Sequence, residues 1–150
     1  MAKVHLTPID KANWLACARL SLPPEEEKFV APAVYTIAQS KFEEIHQLRA
    51  IYHEGTVVGM LAFCHEDEPE ENLELYWLFR ILIDKDHQDK GYGTAAIKLL
   101  TDEVRSLGGK HLRTMHRPEN ERARRVYQNL EFKEIGNLDD GDILYELQIC

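Results

Sequence analysis

Between Leu73 and Asp84 the chain reads Leu-Glu-Leu-Tyr-Trp-Leu-Phe-Arg-Ile-Leu-Ile-Asp, with Glu74 and Arg80 as its only charges before Asp84. A run this apolar on successive residues has no face to offer water, so it predicts a central strand of a sheet covered on both sides. Gln88-Asp-Lys-Gly-Tyr-Gly93 follows. From Thr94, the residues Ala95, Ala96, Leu99, Leu100, Val104 and Leu107 then recur at helical spacing until Gly108-Gly109. A strand, a glycine bend and an amphipathic helix in sequence require a mixed α/β fold in which the helix returns onto the sheet.

The rest of the chain supplies the other layers. Residues 8–20 begin with Pro8 and space Ile9, Ala12, Leu15 and Ala16 as a first helix, which Pro23-Pro24 stops. A second helix is expected over 32–46, starting at Pro32. Leu48 to Phe63 reads as a β-hairpin about Glu54-Gly55, and the acidic stretch 66–72 as a loop. His111–His116 is a short strand. Pro118-Glu-Asn120 starts a last helix with Ala123, Val126, Tyr127 and Leu130 as its buried stripe. Two strands, 132–135 and 143–149, close the chain around Asp139-Asp140-Gly141. The expected order, ααββ–β–α–β–α–ββ, gives one domain over 1–150 with a mixed, mostly antiparallel sheet flanked by helices.

Charge narrows the partners. The net charge is −8, and the first 75 residues hold 6 basic against 13 acidic side chains while the second 75 hold 12 against 13. An acidic protein repels nucleic acid and anionic lipid, so neither is an expected partner, whereas a cationic small molecule is attracted. The N-terminal stretch has no apolar secretion segment, and no run approaches the roughly 20 residues of a membrane span, so a cytoplasmic location is expected. Cys17, Cys64 and Cys150 are three in number and widely spaced, which predicts free thiols and no metal site.

The bend at 88–93 carries the chemistry. Glycines at 91 and 93 permit close approach of backbone to a ligand, and a helix begins there with unpaired amides, an arrangement that binds anions. The third glycine of a dinucleotide fingerprint and the Gly-Lys-Ser/Thr end of a P-loop are both missing, so NAD and ATP fit poorly.

Ile83 to Ala96 is similar to the GNAT acetyltransferase motif Gln/Arg-x-x-Gly-x-Gly/Ala at the end of a long strand. Downstream, Asn120-Glu-Arg-Ala-Arg-Arg-Val-Tyr127 resembles the same family's Asn-x-x-Ala-x-x-x-Tyr, with Phe132 where Gly-Phe is usual and Glu131 replacing that glycine. The resemblance implies a GNAT-like sheet and acetyl-CoA as co-substrate. The backbone of Leu82 and Ile83 would meet the pantetheine arm, and Gln88, Asp89, Lys90, Gly91, Tyr92, Gly93 and Thr94 the pyrophosphate. Asn120 would bond the pantetheine and Arg122 lie near the phosphates. Tyr127 would be the general acid, since a phenol of pKa about 10 suits a departing thiolate of pKa about 8.5.

A base to accept the amine's proton is less evident. Many GNAT enzymes place a glutamate on the central strand where this chain has Phe79 or Arg80. Glu74, acting directly or through water, and the absence of any protein base both stay open. The segments Glu26-Glu-Lys-Phe-Val30 and Phe79-Arg-Ile-Leu-Ile-Asp84 further resemble the bacillus-type spermine/spermidine acetyltransferases. Glu25, Glu26, Glu27, Glu43 and Glu44 fall in the segments where this fold builds its acceptor site, and they suit a polyamine. Arg113, His116, Arg117, Arg122, Arg124 and Arg125 form a basic group suited to the cofactor's 3′-phosphate. The expected partners are thus a small amine and, among proteins, at most a second copy in a homodimer. A CoA-binding module without catalysis and a peptide N-terminal acetyltransferase are the competing readings.

Overall fold

The computed structural model describes residues 3–66 and 74–149. Seven strands form one sheet: β1 (His5–Pro8), β2 (Gln47–His53), β3 (Thr56–His65), β4 (Leu75–Ile83), β5 (His111–His116), β6 (Lys133–Asn137) and β7 (Ile143–Gln148), in the spatial order β1-β2-β3-β4-β5-β7-β6. Only the β4–β5 pair is parallel, joined by the crossover helix α3 (Tyr92–Ser106). Within the apolar run, Leu75–Ile83 is therefore the middle strand, as its composition requires.

Each face of the sheet carries its own core. Leu78 and Ile81 of β4 face Ala96, Ile97 and Leu100 of α3 and Tyr127 of α4 (Glu121–Asn129). On the other face Ala50, Met60 and Leu82 pack with Cys17, Leu20 and Ala33 from α1 (Trp14–Ala18), the segment after it and α2 (Ala33–Ser40). A short 3-10 helix, Pro24–Phe29, links α1 to α2. No helix among the described residues is long and apolar enough to cross a membrane.

The N-terminal segment differs from the expectation. Residues 5–8 pair with β2 as an edge strand ending at Pro8, and α1 begins only at Trp14. Asp10 explains this: its carboxylate accepts from the amides of Ala12 and Asn13, and its carbonyl accepts the amide of Trp14, so a side-chain-closed turn precedes the helix. The buried side is then Asn13, Cys17 and Leu20, while Ala12, Leu15 and Ala16 of the expected stripe are exposed. α2 stops at Ser40 instead of 46, and α3 starts at Tyr92, two residues before Thr94. Of the acidic loop 66–72, only Glu66 lies within the described residues, and Cys150 lies outside them.

Two irregularities shape the centre. Arg80 pairs with Ala62 and Leu78 with Phe63, so Phe79 is an extra residue on β4. Both Phe79 and Arg80 then address the α2 side: Phe79 meets the His46 ring at a tilt, and Arg80 donates to Thr36 Oγ1 and Gln39 Oε1 while lying over the Tyr35 ring. Burial holds the Arg80 guanidinium below its usual pKa. The second irregularity is a fork. β4 and β5 are paired only from Leu75 with His111 to Leu78 with Thr114, after which the two strands diverge.

Candidate active site

At the vertex of the fork the Thr114 hydroxyl donates to the Leu78 carbonyl at 2.9 Å. Tyr127 reaches the same place from α4, where its phenol is close enough to Thr114 to feel that hydroxyl. Its ring is 4 % exposed and packs on His116, Phe132 and Tyr145. Burial pushes the phenol above its ordinary pKa, with the Thr114 hydroxyl acting the other way, so Tyr127 holds its proton at neutral pH. The fork opens from there into a cavity of about 90 Å³ whose wall includes Ile81, Leu82, Ile83, Asn120 and Tyr127.

The bend lies at the far end of that cavity. Gly91 takes φ +82° as the N-cap of α3, a left-handed conformation costly for any residue with a Cβ. The first bond into the helix is Ala95 N–H to Gly91 C=O, so the amides of Gly91, Tyr92, Gly93 and Thr94 precede the helical ladder. These four donors stand at the positive end of the α3 dipole, beside a cleft of about 260 Å³ lined by His87, Asp89, Tyr92, Arg122 and Arg125. A diphosphate fits these donors. Position 93 is different from 91, because its φ is not positive and an added Cβ would touch only Ile83 Cγ1 at 3.7 Å, an ordinary contact.

The other expected residues are accounted for one by one. Gln88 does more than supply an amide, because its side chain donates to the Ile83 carbonyl at 3.2 Å and ties the bend to the end of β4. Asp84 accepts from the amides of Ser21 and Asp86, holding the segment after α1 against the same end. Asn120 caps α4 through Oδ1, which accepts from Ala123 N–H at 3.1 Å, and the residue lines the cavity. Arg122 donates from Nε to Glu26 Oε1 at 3.2 Å and from Nη1 to Asp89 Oδ1 at 2.5 Å.

Glu74 is not brought to this site. It precedes the first residue of β4, eight positions from Leu82 at about 3.3 Å per residue, and its exposed carboxylate pairs with Lys110 Nζ at 3.2 Å. Glu74 is not among the residues that line the cavity with Tyr127. The basic group is also divided. Arg113 pairs with Glu146 and Arg117 with Asp142, both at 2.8 Å, and only Arg122 and Arg125 line the bend.

The carboxylate that does share the cavity with Tyr127 is Glu26, from the 3-10 helix. Sequence reading placed it in an acidic run with Glu25 and Glu27 but gave it no individual role. The distinguishing signal was weak: Leu22, Phe29 and Val30 around it are the apolar residues that turn one glutamate of the three inward.

Comparison with known proteins bears on the fold and the family. The sequence model of the Acetyltransferase (GNAT) family matches residues 13–132. No curated protein matches the chain. Among solved structures, the ribosomal-protein-S18-alanine N-acetyltransferase from Escherichia coli superposes with a TM-score of 0.72 at 22 % identity, covering 98 % of this chain and 94 % of its own. The aminoglycoside acetyltransferase AAC(6')-Ib, in complex with ribostamycin and coenzyme A, gives 0.78 at 18 % identity over 97 % and 93 %. An N-acetyltransferase from Staphylococcus aureus Mu50 gives 0.73 at 15 % over 99 % and 100 %. At these identities the likeness is one of fold, and it extends over the mixed, mostly antiparallel sheet and its helices. With the family model spanning most of its length, the chain belongs to the GNAT family of acyl-CoA-dependent N-acetyltransferases.

Proposed function

We propose that the protein transfers an acetyl group from acetyl-CoA to a primary amine, of the small cationic, polyamine-like class, by direct attack in a ternary complex in the cytoplasm. The observation that carries this reading is the continuity between the amides of Gly91 to Thr94 at the start of α3 and a cavity that Gly93 and the buried phenol of Tyr127 both line. Bound acetyl-CoA supplies an activated thioester. The chain's own residues do the rest: amides 88–94 and Arg122 hold the diphosphate, and Leu82, Ile83 and Asn120 border the path of the pantetheine arm. Tyr127 keeps a proton to give to the departing sulfur.

The acceptor class is supported by charge and position. Glu26 lies on the cavity wall, and Glu27 lines an adjoining cleft of about 290 Å³ that shares Leu22, Val30 and Leu82 with it. Two carboxylates separated by an apolar strip suit an alkyl chain carrying more than one ammonium. Glu26 is also the carboxylate placed to accept the proton that the attacking amine loses; an amine of pKa near 10.4 costs roughly 4–5 kcal/mol to deprotonate at pH 7. The aminoglycoside and ribosomal-protein acetyltransferases of similar fold act on amines too, one a small polycation and the other a protein.

The test is thiol release from acetyl-CoA with spermidine, spermine, kanamycin and an alanine-starting peptide. Turnover highest with the polyamines is expected. Tyr127→Phe should lower kcat by about 100-fold, the typical contribution of a positioned acid, while coenzyme A affinity is retained. Turnover on the peptide alone would move the acceptor to protein N-termini. Failure to bind coenzyme A at all would end the enzymatic reading.

A further inference from the structure

We infer that Asp89 is a placeholder for the cofactor's diphosphate on Arg122, and that Glu26 is the fixed anchor that aims this arginine at the bend. The inference rests on the reading of 88–94 as the cofactor site. One guanidinium holds two carboxylates, and these come from segments 96 and 33 residues away in sequence. The two contacts are unlike. The Glu26 side chain is 15 % exposed and sits among the apolar residues of the cavity wall, whereas that of Asp89 is 77 % exposed.

Asp89 also belongs to the bend itself, with φ +64°, a left-handed conformation that aspartate tolerates better than most residues. Its backbone therefore helps form the ring of donors while its carboxylate occupies the arginine those donors would share with a phosphate. An anion seated on amides 88–94 comes against the Asp89 charge and competes with it for Nη1. A diphosphate has more charge and more acceptor oxygens than one carboxylate, and guanidinium–phosphate pairs are the stronger kind. Solvent reaches Asp89, so it can swing away at little cost. Glu26 has no comparable exit, and its bond to Nε fixes the direction in which the two Nη groups point.

The two acidic partners of one arginine are thus expected to affect the cofactor in opposite senses. Simple charge counting predicts the same sense for both, because removing either carboxylate makes the site more positive. Coenzyme A and pantetheine, which lacks the diphosphate, are titrated calorimetrically into the whole protein as wild type, Asp89→Asn and Glu26→Gln at two salt concentrations. Asp89→Asn should bind coenzyme A about tenfold more tightly at low salt, less so at high salt, with pantetheine unaffected. Glu26→Gln should bind coenzyme A about threefold to tenfold more weakly.

Equal signs for the two variants, or an Asp89→Asn affinity no better than wild type, would overturn the inference. Arg122→Lys keeps the charge but cannot hold both carboxylates, so in that background the effect of Asp89→Asn should shrink to the part due to direct repulsion between Asp89 and the anion; persistence of the full effect there also counts against it. Wild-type protein that does not bind coenzyme A removes the proposed function itself, an outcome distinct from any of these.

Discussion

The two glycines of the bend should respond oppositely to alanine. At Gly91 the backbone is left-handed, φ +82°, and placing a Cβ there costs roughly 1–2 kcal/mol. If the chain relieves that strain by changing φ, the amides of 88–94 no longer converge, and a loss of 1–2 kcal/mol corresponds to a coenzyme A affinity about 5- to 30-fold lower. At Gly93 the residue already lies inside α3, and its Cβ would meet Ile83 Cγ1 at 3.7 Å. Alanine there should gain about 0.5–1 kcal/mol of helix stability and leave cofactor affinity unchanged, consistent with the family motif's acceptance of glycine or alanine at that position. Calorimetric titration with coenzyme A and thermal unfolding of Gly91→Ala and Gly93→Ala separate the two effects. Equal losses of affinity in both variants, or a Gly91→Ala protein that binds as well as wild type, would show that the left-handed cap does not organise the donors.

Four further outcomes follow from particular side chains. Glu131 holds φ +68° after α4, where glycine would be relaxed, so Glu131→Gly should stabilise the fold by about 1 kcal/mol, raising Tm by roughly 2–4 °C. Glu74→Gln removes an exposed pair with Lys110 and should leave kcat within about twofold of wild type, with no change in the acidic limb of its pH profile. Because burial raises the Tyr127 pKa, the unfolded chain releases that proton first as pH rises past about 10, so stability falls above that pH; Tyr127→Phe should flatten this part of the curve in denaturant titrations. The Cys17 thiol, fully buried and pushed up to about 11, should resist alkylation at pH 8 until the protein is unfolded, which mass spectrometry of iodoacetamide-treated protein would read.

The central strand and the bend were legible because each is set locally. An unbroken apolar run has one stable destination, and Gly91 is required by the backbone of a turn only a few residues long. The hairpin at Glu54-Gly55 was legible for the same reason, with φ +49° and +82° at its two turn residues. α1 was misplaced because it is five residues long and its position depends on the Asp10 turn and on β1 pairing with β2, a partner more than 40 residues away. Periodicity over so short a helix cannot separate Ala12, Leu15 and Ala16 from Asn13, Cys17 and Leu20, since both sets fit a helical repeat.

The misassigned carboxylate has a deeper cause. Glu74 was the acid on the right strand, and strand membership is a local property; nearness to Tyr127 is not. That nearness is decided by where β4 and β5 part, and the parting follows from Leu78 with Thr114 being the last pair of the ladder. Glu74 lies before the paired stretch, on the closed side of the fork, and it does not line the cavity on the open side. Glu26 reaches the open side because Pro23 and Pro24 start a 3-10 helix there, and Arg122, 96 residues later, donates to its carboxylate. The same bond joins the two halves of the charge pattern. The acidic N-terminal half meets the more basic C-terminal half where the cavity opens, and a chain with the same composition but without that contact would have an acidic surface and no acidic wall.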